Sequence, residues 1–124
     1  MQTHDWPQTA KAYSAALRPL RSGAAEQMKA FAALSRAALE ANALDVKTKE
    51  LIALAIAVAT RCEACIAFHA EAALRQGASR EEVLETMGMA IYMGAGPSVM
   101  YAAQALEAFD QFAAARAAGT CQPA

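Results

Sequence analysis

An excess of charge of either sign is missing from this sequence, and so is an apolar stretch long enough to cross a membrane. Lysine and arginine number 11 against 12 aspartates and glutamates, so the net charge is -1. Such a balance does not indicate a basic surface for nucleic acid or acidic membranes. The longest apolar run, Leu51 to Ala59, is less than half of the roughly 20 residues that span a bilayer. We therefore expect neither nucleic acid nor a membrane as a partner.

An export signal is missing as well. Asp5, Trp6 and Pro7 stand where a secretory signal would carry a cation and then an apolar stretch, so we expect a cytoplasmic protein. Cysteine is scarce, and its three copies, an odd number, do not indicate a structural disulfide framework. In a reducing compartment a close cysteine pair more often serves catalysis or metal binding.

Residues that favour β-sheet are sparse, and no stretch alternates between apolar and polar positions. Alanine, leucine, methionine, glutamate and arginine dominate instead, and all of them favour helices. The length of 124 residues fits one domain, and 56% hydrophobic against 19% charged residues exceeds what the interior of a small monomer needs. We predict an all-α, single-domain helical bundle over residues 1–124, with part of its apolar surface in contacts between subunits.

Capping and helix-breaking residues divide the chain into about six predicted helices. Pro19 ends the first, Asp45 caps the third, Gly77 ends the fourth, and the capping box Ser79-Arg80-Glu81-Glu82 opens the fifth. The predicted helices cover approximately residues 9–17, 24–43, 45–59, 61–77, 79–93 and 97–117. The second carries an apolar stripe that we expect to face the core, formed by Met28, Phe31, Ala32, Leu34, Ala38 and Leu39.

The densest group of reactive side chains is Cys62, Cys65 and His69, in the pattern C-x-x-C-x-x-x-H. On a helix that turns about 100° per residue, these three side chains fall within an arc of about 60°. Cys62 lies in the first turn of its predicted helix, where free backbone N–H groups favour a thiolate. His69 follows Cys65 by four residues, so its imidazole can exchange a proton with that sulfur. We therefore predict one reactive site.

Glu50 joins this site if the chain reverses near Thr60 and Arg61. In an antiparallel helical hairpin, residues whose numbers sum to about 120 lie level, which places Glu50 beside His69 or Ala70. Glu50 also precedes the apolar run, so its carboxylate would be partly desolvated and would stabilise a charged imidazole. The order of Glu50, His69 and a thiol predicts a proton relay that activates a nucleophile.

Simpler interpretations of these residues stay open at this stage. The two cysteines and the histidine could supply three ligands of a zinc site, although a closed site needs a fourth. The cysteines could also be inert core residues, and Glu50 could merely complement the helix dipole. Cys121 stands alone in the C-terminal tail, and no pattern surrounds His4, so neither is assigned a role.

Glu50, eleven further residues and the run Cys62-x-x-Cys65-x-x-x-His69 resemble the signature of the alkyl hydroperoxidase D and carboxymuconolactone decarboxylase superfamily. Residues 47–54 resemble the start of the helix before the signature, and residues 77–83 resemble the capped helix after it. The resemblance covers about residues 30 to 110.

This resemblance implies an all-α fold, often assembled as trimers or hexamers, and a thiol-dependent peroxidase or disulfide reductase. The substrate would be a hydroperoxide, the reductant a small dithiol or a thiol protein, and no bound cofactor would be needed. The residues that match the redox relay are Glu50, Cys62, Cys65 and His69. Ala64 stands where the best-studied peroxidases have a histidine, a departure that bears on catalytic efficiency.

On this hypothesis Cys65 attacks a hydroperoxide, activated by His69 with Glu50 behind it, and Cys62 resolves the sulfenic acid to a disulfide. The opposite order stays open, since the helix dipole favours Cys62 as the attacker while the adjacent base favours Cys65. Two other functions also stay open: a decarboxylase-type lyase acting on a carboxylated lactone, and a non-catalytic oligomer that senses redox state. The complete C-x-x-C pair favours the peroxidase, because the lyase would not need two cysteines.

Overall fold

The computed structural model of the protein describes residues 1–119, so Cys121 lies outside the described residues. Over this range the chain is all-helical and forms no strand, which confirms the predicted fold class. No helix in the range is both long enough and apolar enough to cross a membrane. The five helices are α1 (Trp6–Gly23), α2 (Ala25–Leu39), α3 (Val46–Ala59), α4 (Glu63–Arg75) and α5 (Arg80–Ala117).

Helix α5 consists of two antiparallel segments that meet at Ala95. This residue has φ 58° and ψ -146°, far from helical values. Arg80, at the start of α5, donates hydrogen bonds of 2.9 and 3.2 Å to the carboxylate of Asp110. On a straight helix these residues would lie about 45 Å apart, so the helix folds back on itself. The predicted sixth helix therefore corresponds to the second segment of α5.

The caps predicted for α3 and α5 are both present. The Asp45 carboxylate accepts a hydrogen bond of 2.8 Å from the backbone N–H of Thr48. The Ser79 hydroxyl accepts one of 3.0 Å from the backbone N–H of Glu82, whose carboxylate accepts one of 2.8 Å from the backbone N–H of Ser79. These bonds satisfy donors that a helix start otherwise leaves unpaired, and they fix where α3 and α5 begin.

Helix α1 is longer at both ends than the sequence predicts. Asp5 caps it by accepting a hydrogen bond of 3.2 Å from the backbone N–H of Gln8, so the helix starts at Trp6. Pro19 lies inside the helix, which continues to Gly23. The proline is exposed, so water can satisfy the carbonyl whose N–H partner the ring removes.

The core lies between α3, α4 and both segments of α5, and the start of α1 packs against it. Trp6 is fully buried at this contact. Its Nε1 donates to the Glu107 carboxylate at 2.8 Å, and its backbone N–H donates to the Gln111 side chain at 2.7 Å. The indole is therefore buried with its polar groups satisfied. The largest fully buried side chains are Trp6, Phe112, Leu54, Ile66, Val58 and Val83.

Helix α2 buries none of its residues against the rest of the chain. The predicted core-facing role of its apolar stripe is therefore wrong: Phe31 is 61% exposed and Leu34 is 63% exposed. The Lys49 ammonium donates to the backbone carbonyls of Ala38 at 2.9 Å and Glu40 at 2.6 Å, which ties the end of α2 to α3. The helix is thus held at its C-terminal end while its apolar face stays open.

Gly94 and Gly96 form a matched pair for testing the fold of α5. A Cβ at Gly94 would lie 1.9 Å from Oγ and 2.9 Å from Cβ of the buried Ser98, whereas a Cβ at Gly96 would meet nothing within 4 Å. We expect Gly94→Ala to lower the free energy of unfolding by about 1 to 3 kcal/mol, because the packing must shift. Gly96→Ala should leave it unchanged or raise it slightly. Urea unfolding measures both, and equal effects would contradict this close approach.

Candidate functional site

The turn between α3 and α4 reverses the chain through a left-handed residue. Arg61 has φ 57°, a conformation that costs a non-glycine residue about 1 to 2 kcal/mol. The backbone N–H groups of Arg61 and Cys62 donate to the carbonyls of Val58 at 3.2 Å and Ala57 at 3.0 Å, the paired bonds of a Schellman motif. The reversal predicted near Thr60 and Arg61 is therefore present, and Cys62 follows it directly.

Cys62 is the N-cap of α4 and not a residue of its first turn. Its backbone is extended, with φ -99° and ψ 99°, and its Sγ accepts a hydrogen bond of 3.2 Å from the backbone N–H of Cys65. The two cysteines form a disulfide, and their Cα atoms are 5.2 Å apart, within the usual range for such a bond. The Cys62 sulfur thus lies where the free N–H groups of a helix start stabilise a thiolate.

The predicted contact between Glu50 and His69 is present, because α3 and α4 run antiparallel. His69 Nδ1 lies 3.1 Å from Glu50 Oε1. Glu50 is only 4% exposed, while the His69 side chain is 32% exposed. With the Glu50 oxygen as acceptor, the ring donates from Nδ1, and Nε2 is the nitrogen left for a second partner. The buried carboxylate therefore fixes the orientation of a ring whose other side is accessible.

The four predicted site residues form two bonded pairs: the disulfide of Cys62 and Cys65, and the contact between His69 and Glu50. Cys65 and His69 are four residues apart on α4, on the same side of the helix. The arrangement offers a disulfide that can open and close, with an imidazole nearby that can take or give a proton. In residues 1–119 no group of three or more histidine, cysteine, aspartate or glutamate side chains is placed to hold a metal ion.

A second histidine contacts the first residue of α4, and the sequence did not indicate this contact. His4 Nε2 lies 3.4 Å from Glu63 Oε2, and Glu63 follows Cys62 at the start of α4. The two residues of this pair are far apart in the sequence, so no motif spacing connects them. Only the packing of the N-terminal segment against the bundle brings them together.

Comparison with known proteins places the chain in a family. The model of the carboxymuconolactone decarboxylase family matches residues 25–108. The chain belongs to this family. It is 45% identical over 83 residues to an uncharacterised protein of Cupriavidus necator, covering 67% of this chain and 74% of that protein. It is 40% identical over 98 residues to uncharacterised protein 4 in the cox locus of Paracoccus denitrificans, covering 79% and 88%.

Two solved structures of the carboxymuconolactone decarboxylase family resemble this fold. One is a family protein from Legionella pneumophila, with a TM-score of 0.84 and 50% identity, which covers 86% of this chain and 96% of that chain. The other is a Thermotoga maritima family protein described with a possible role in antioxidative response. Its TM-score is 0.77 and its identity 28%, over 88% of this chain and 96% of that chain.

The disulfide can be tested by alkylation. After mild oxidation with oxidised glutathione, iodoacetamide should leave Cys62 and Cys65 unmodified, because both sulfurs are bonded to each other. Reduction with dithiothreitol should make both reactive, as measured by mass spectrometry of the peptide that contains them. In Cys62→Ser the remaining Cys65 should be open to alkylation or carry glutathione. Alkylation of both cysteines in the oxidised native protein would contradict the pairing.

Proposed function

We propose that the protein is a thiol-dependent peroxidase, or disulfide oxidoreductase, that reduces hydroperoxides through Cys62 and Cys65. The observation that carries this proposal is the disulfide at the start of α4, one helical turn before a histidine that is paired with a buried glutamate. The antioxidative role raised for the Thermotoga maritima relative supports the same chemistry. The fold alone would not, since one fold serves many functions.

In the proposed cycle Cys65 is the attacking thiolate and His69 holds its proton. As the sulfur attacks the hydroperoxide, an S–O bond forms and the O–O bond breaks, and the alkoxide leaves as an alcohol with the proton from His69. The Cys62 sulfur then attacks the sulfenic acid, so that the S–S bond forms and the S–O bond breaks, and hydroxide leaves as water with the proton of Cys62. An external dithiol returns two electrons and two protons by exchange.

The geometry supports Cys65 as the attacker for an electrostatic reason. Cys65 lies one turn before His69, and the Glu50 carboxylate lies 3.1 Å from Nδ1 of the ring. A carboxylate so placed stabilises positive charge on the ring, and that charge in turn stabilises a nearby thiolate. Cys62 lies at the start of α4, where free backbone N–H groups stabilise a thiolate. This position suits a sulfur that leaves as a thiolate when the disulfide is reduced.

Membership in the carboxymuconolactone decarboxylase family also supports a second candidate, a lyase acting on a carboxylated lactone. The pair of His69 and Glu50 can serve as acid and base without any thiol. The two functions differ in their need for sulfur. A lyase keeps its activity when the disulfide is removed, whereas the peroxidase loses it.

Peroxide consumption in the presence of a dithiol tests the proposed function. The native protein should turn over hydrogen peroxide or an organic hydroperoxide, while Cys62→Ser and Cys65→Ser should lose the dithiol-dependent cycle. His69→Gln should lower the rate by about 10² to 10⁴, the usual contribution of a positioned acid or base. Cys121→Ser, which removes a cysteine outside the motif, is the matched control and should keep full activity.

Three outcomes would count against the peroxidase. Full activity of Cys65→Ser would show that Cys65 is not the attacker. Decarboxylation of a lactone that persists in Cys65→Ser and disappears in His69→Gln would favour the lyase. A single oxidation without sustained peroxide loss would favour a redox sensor.

We also propose that a second copy of this chain covers α2, as part of the trimer or hexamer expected from the resemblance. Isolated helices of about 12 to 15 residues are marginal in water, yet the 15-residue α2 buries no residue within its own chain. Phe31 and Leu34 are exposed on α2, and Tyr13 and Leu20 are exposed on α1. A copy of the same surface supplies the apolar partner that this helix lacks.

A negative charge introduced on the apolar face should separate the subunits. We expect Phe31→Asp to reduce the molecular mass measured by light scattering after size-exclusion chromatography, because a carboxylate would be buried without a partner. Ala33→Asp is the control, since Ala33 lies on the other side of the same exposed helix. Its helix-propensity cost is larger than that of Phe31→Asp, so a greater loss of mass in Phe31→Asp cannot come from a weaker helix. A native protein that is already a monomer, or equal effects of both substitutions, would overturn this proposal.

A further inference from the structure

His4 is held against the start of α4, in a segment that precedes the residues matched by the family. The fully buried Trp6 anchors this segment. Its ring lies 4.5 Å from the His4 ring between centroids. The side chain of Gln111 donates a hydrogen bond of 2.8 Å to the backbone carbonyl of His4. The imidazole is therefore fixed by packing and hydrogen bonds.

The ring of His4 contacts an acceptor at Nδ1. Thr3 has one hydroxyl hydrogen and donates it to Glu107, so the hydroxyl oxygen accepts the N–H of His4 Nδ1 at 3.1 Å. Burial opposes ionisation of Glu107, but hydrogen bonds from Thr3, Trp6 and His4 outweigh it and lower the pKa of this carboxyl. Glu107 is thus an ionised acceptor, as this direction of donation requires.

The other ring nitrogen faces a carboxylate. His4 Nε2 lies 3.4 Å from Glu63 Oε2, at ion-pair distance. A carboxylate attracts an N–H at this position and repels a lone pair. The ring of His4 thus has an acceptor at each nitrogen, Thr3 on one side and Glu63 on the other, which is the arrangement that an imidazolium with two N–H groups fits.

Glu63 brings negative charge next to the redox pair. It is the first residue of α4 and follows Cys62, whose sulfur caps the helix. An acidic residue in the first turn suits the helix dipole, but its charge opposes a second negative charge on the neighbouring sulfur. A cation bound to Glu63 removes much of that opposition.

We propose that His4 is a positioning residue for the redox pair: its positive charge, held on Glu63, offsets the carboxylate beside Cys62 and so favours opening of the disulfide. This role rests on the proposed redox function of Cys62 and Cys65. Each sulfur then has its own histidine and glutamate: His4 and Glu63 act on Cys62, and His69 and Glu50 act on Cys65.

The affected step is reduction of the disulfide by an external dithiol. One reductant thiolate attacks the Cys65 sulfur, the Cys62–Cys65 bond breaks, and its electron pair leaves on the Cys62 sulfur. The second reductant thiolate then displaces Cys65, which forms the oxidised reductant. The two cysteines take up the two protons that the reductant has released. Since the bond breaks to leave Cys62 as a thiolate, which takes up its proton only afterwards, the charge of its surroundings changes the rate of this step.

Reduction by an excess of dithiothreitol at pH 7 tests this role, with the remaining disulfide followed over time by alkylation and mass spectrometry. His4→Gln should lower the rate constant for reduction about threefold, because the Cys62 thiolate then leaves beside a carboxylate that no cation offsets. His4→Lys restores a cation and should return the constant toward the native value. In a Glu63→Gln background, His4→Gln should have a smaller effect, because the charge that the imidazole offsets is gone.

An unchanged constant in His4→Gln, an equal loss in His4→Lys, or an undiminished effect in the Glu63→Gln background would overturn the proposal. A thermal unfolding curve for each variant reports the purely structural part of the change. The measurement needs no peroxide. If the constant shifts threefold but the protein does not turn over peroxide, the proposed function is wrong and the role of His4 stands. If the constant is unchanged in an active peroxidase, the role of His4 is wrong and the proposed function stands.

Discussion

The reversal between α3 and α4 is the constraint on which the site depends. On a continuous helix, Glu50 and His69 would be separated by about 28 Å, whereas the turn brings His69 Nδ1 to 3.1 Å from Glu50 Oε1. The left-handed conformation of Arg61 provides this reversal. It also leaves Cys62 extended at the end of the turn, where its sulfur caps α4. One local backbone feature therefore places both the paired imidazole and the redox sulfur.

Features set by neighbouring residues were predictable from the sequence. The caps at Asp45 and Ser79 depend on a side chain and a backbone N–H three residues later, and both are present. The contact of Glu50 with His69 was also predictable, since it follows from helix periodicity and from the position of one turn. The predicted position of Cys62 in the first turn was wrong by one residue, since Cys62 is the N-cap of α4. A helix start can shift by one residue without changing the sequence pattern.

Features set by distant residues were not predictable. An apolar stripe at helical spacing shows that one face of α2 avoids water, but a core and a subunit contact produce the same stripe. The exposure of Phe31 and Leu34 could thus be learned only from the packing. The same holds for Trp6 and His4, whose partners on α4 and α5 lie far along the chain. Nothing local to the N-terminus indicates that it packs beside the cysteine pair.

Cys62 joins the stability of α4 to the redox state of the pair. In the disulfide its Sγ is a weak acceptor for the backbone N–H of Cys65, at 3.2 Å. A thiolate at the same position is a charge-assisted and therefore stronger acceptor. Side-chain caps typically contribute about 1 kcal/mol to a helix, so the start of α4 is strongest while Cys62 is a thiolate, the form in which it leaves the disulfide. Glu63 lies in the same turn and is paired with His4, and the charges that act on the sulfur therefore act on the helix start as well.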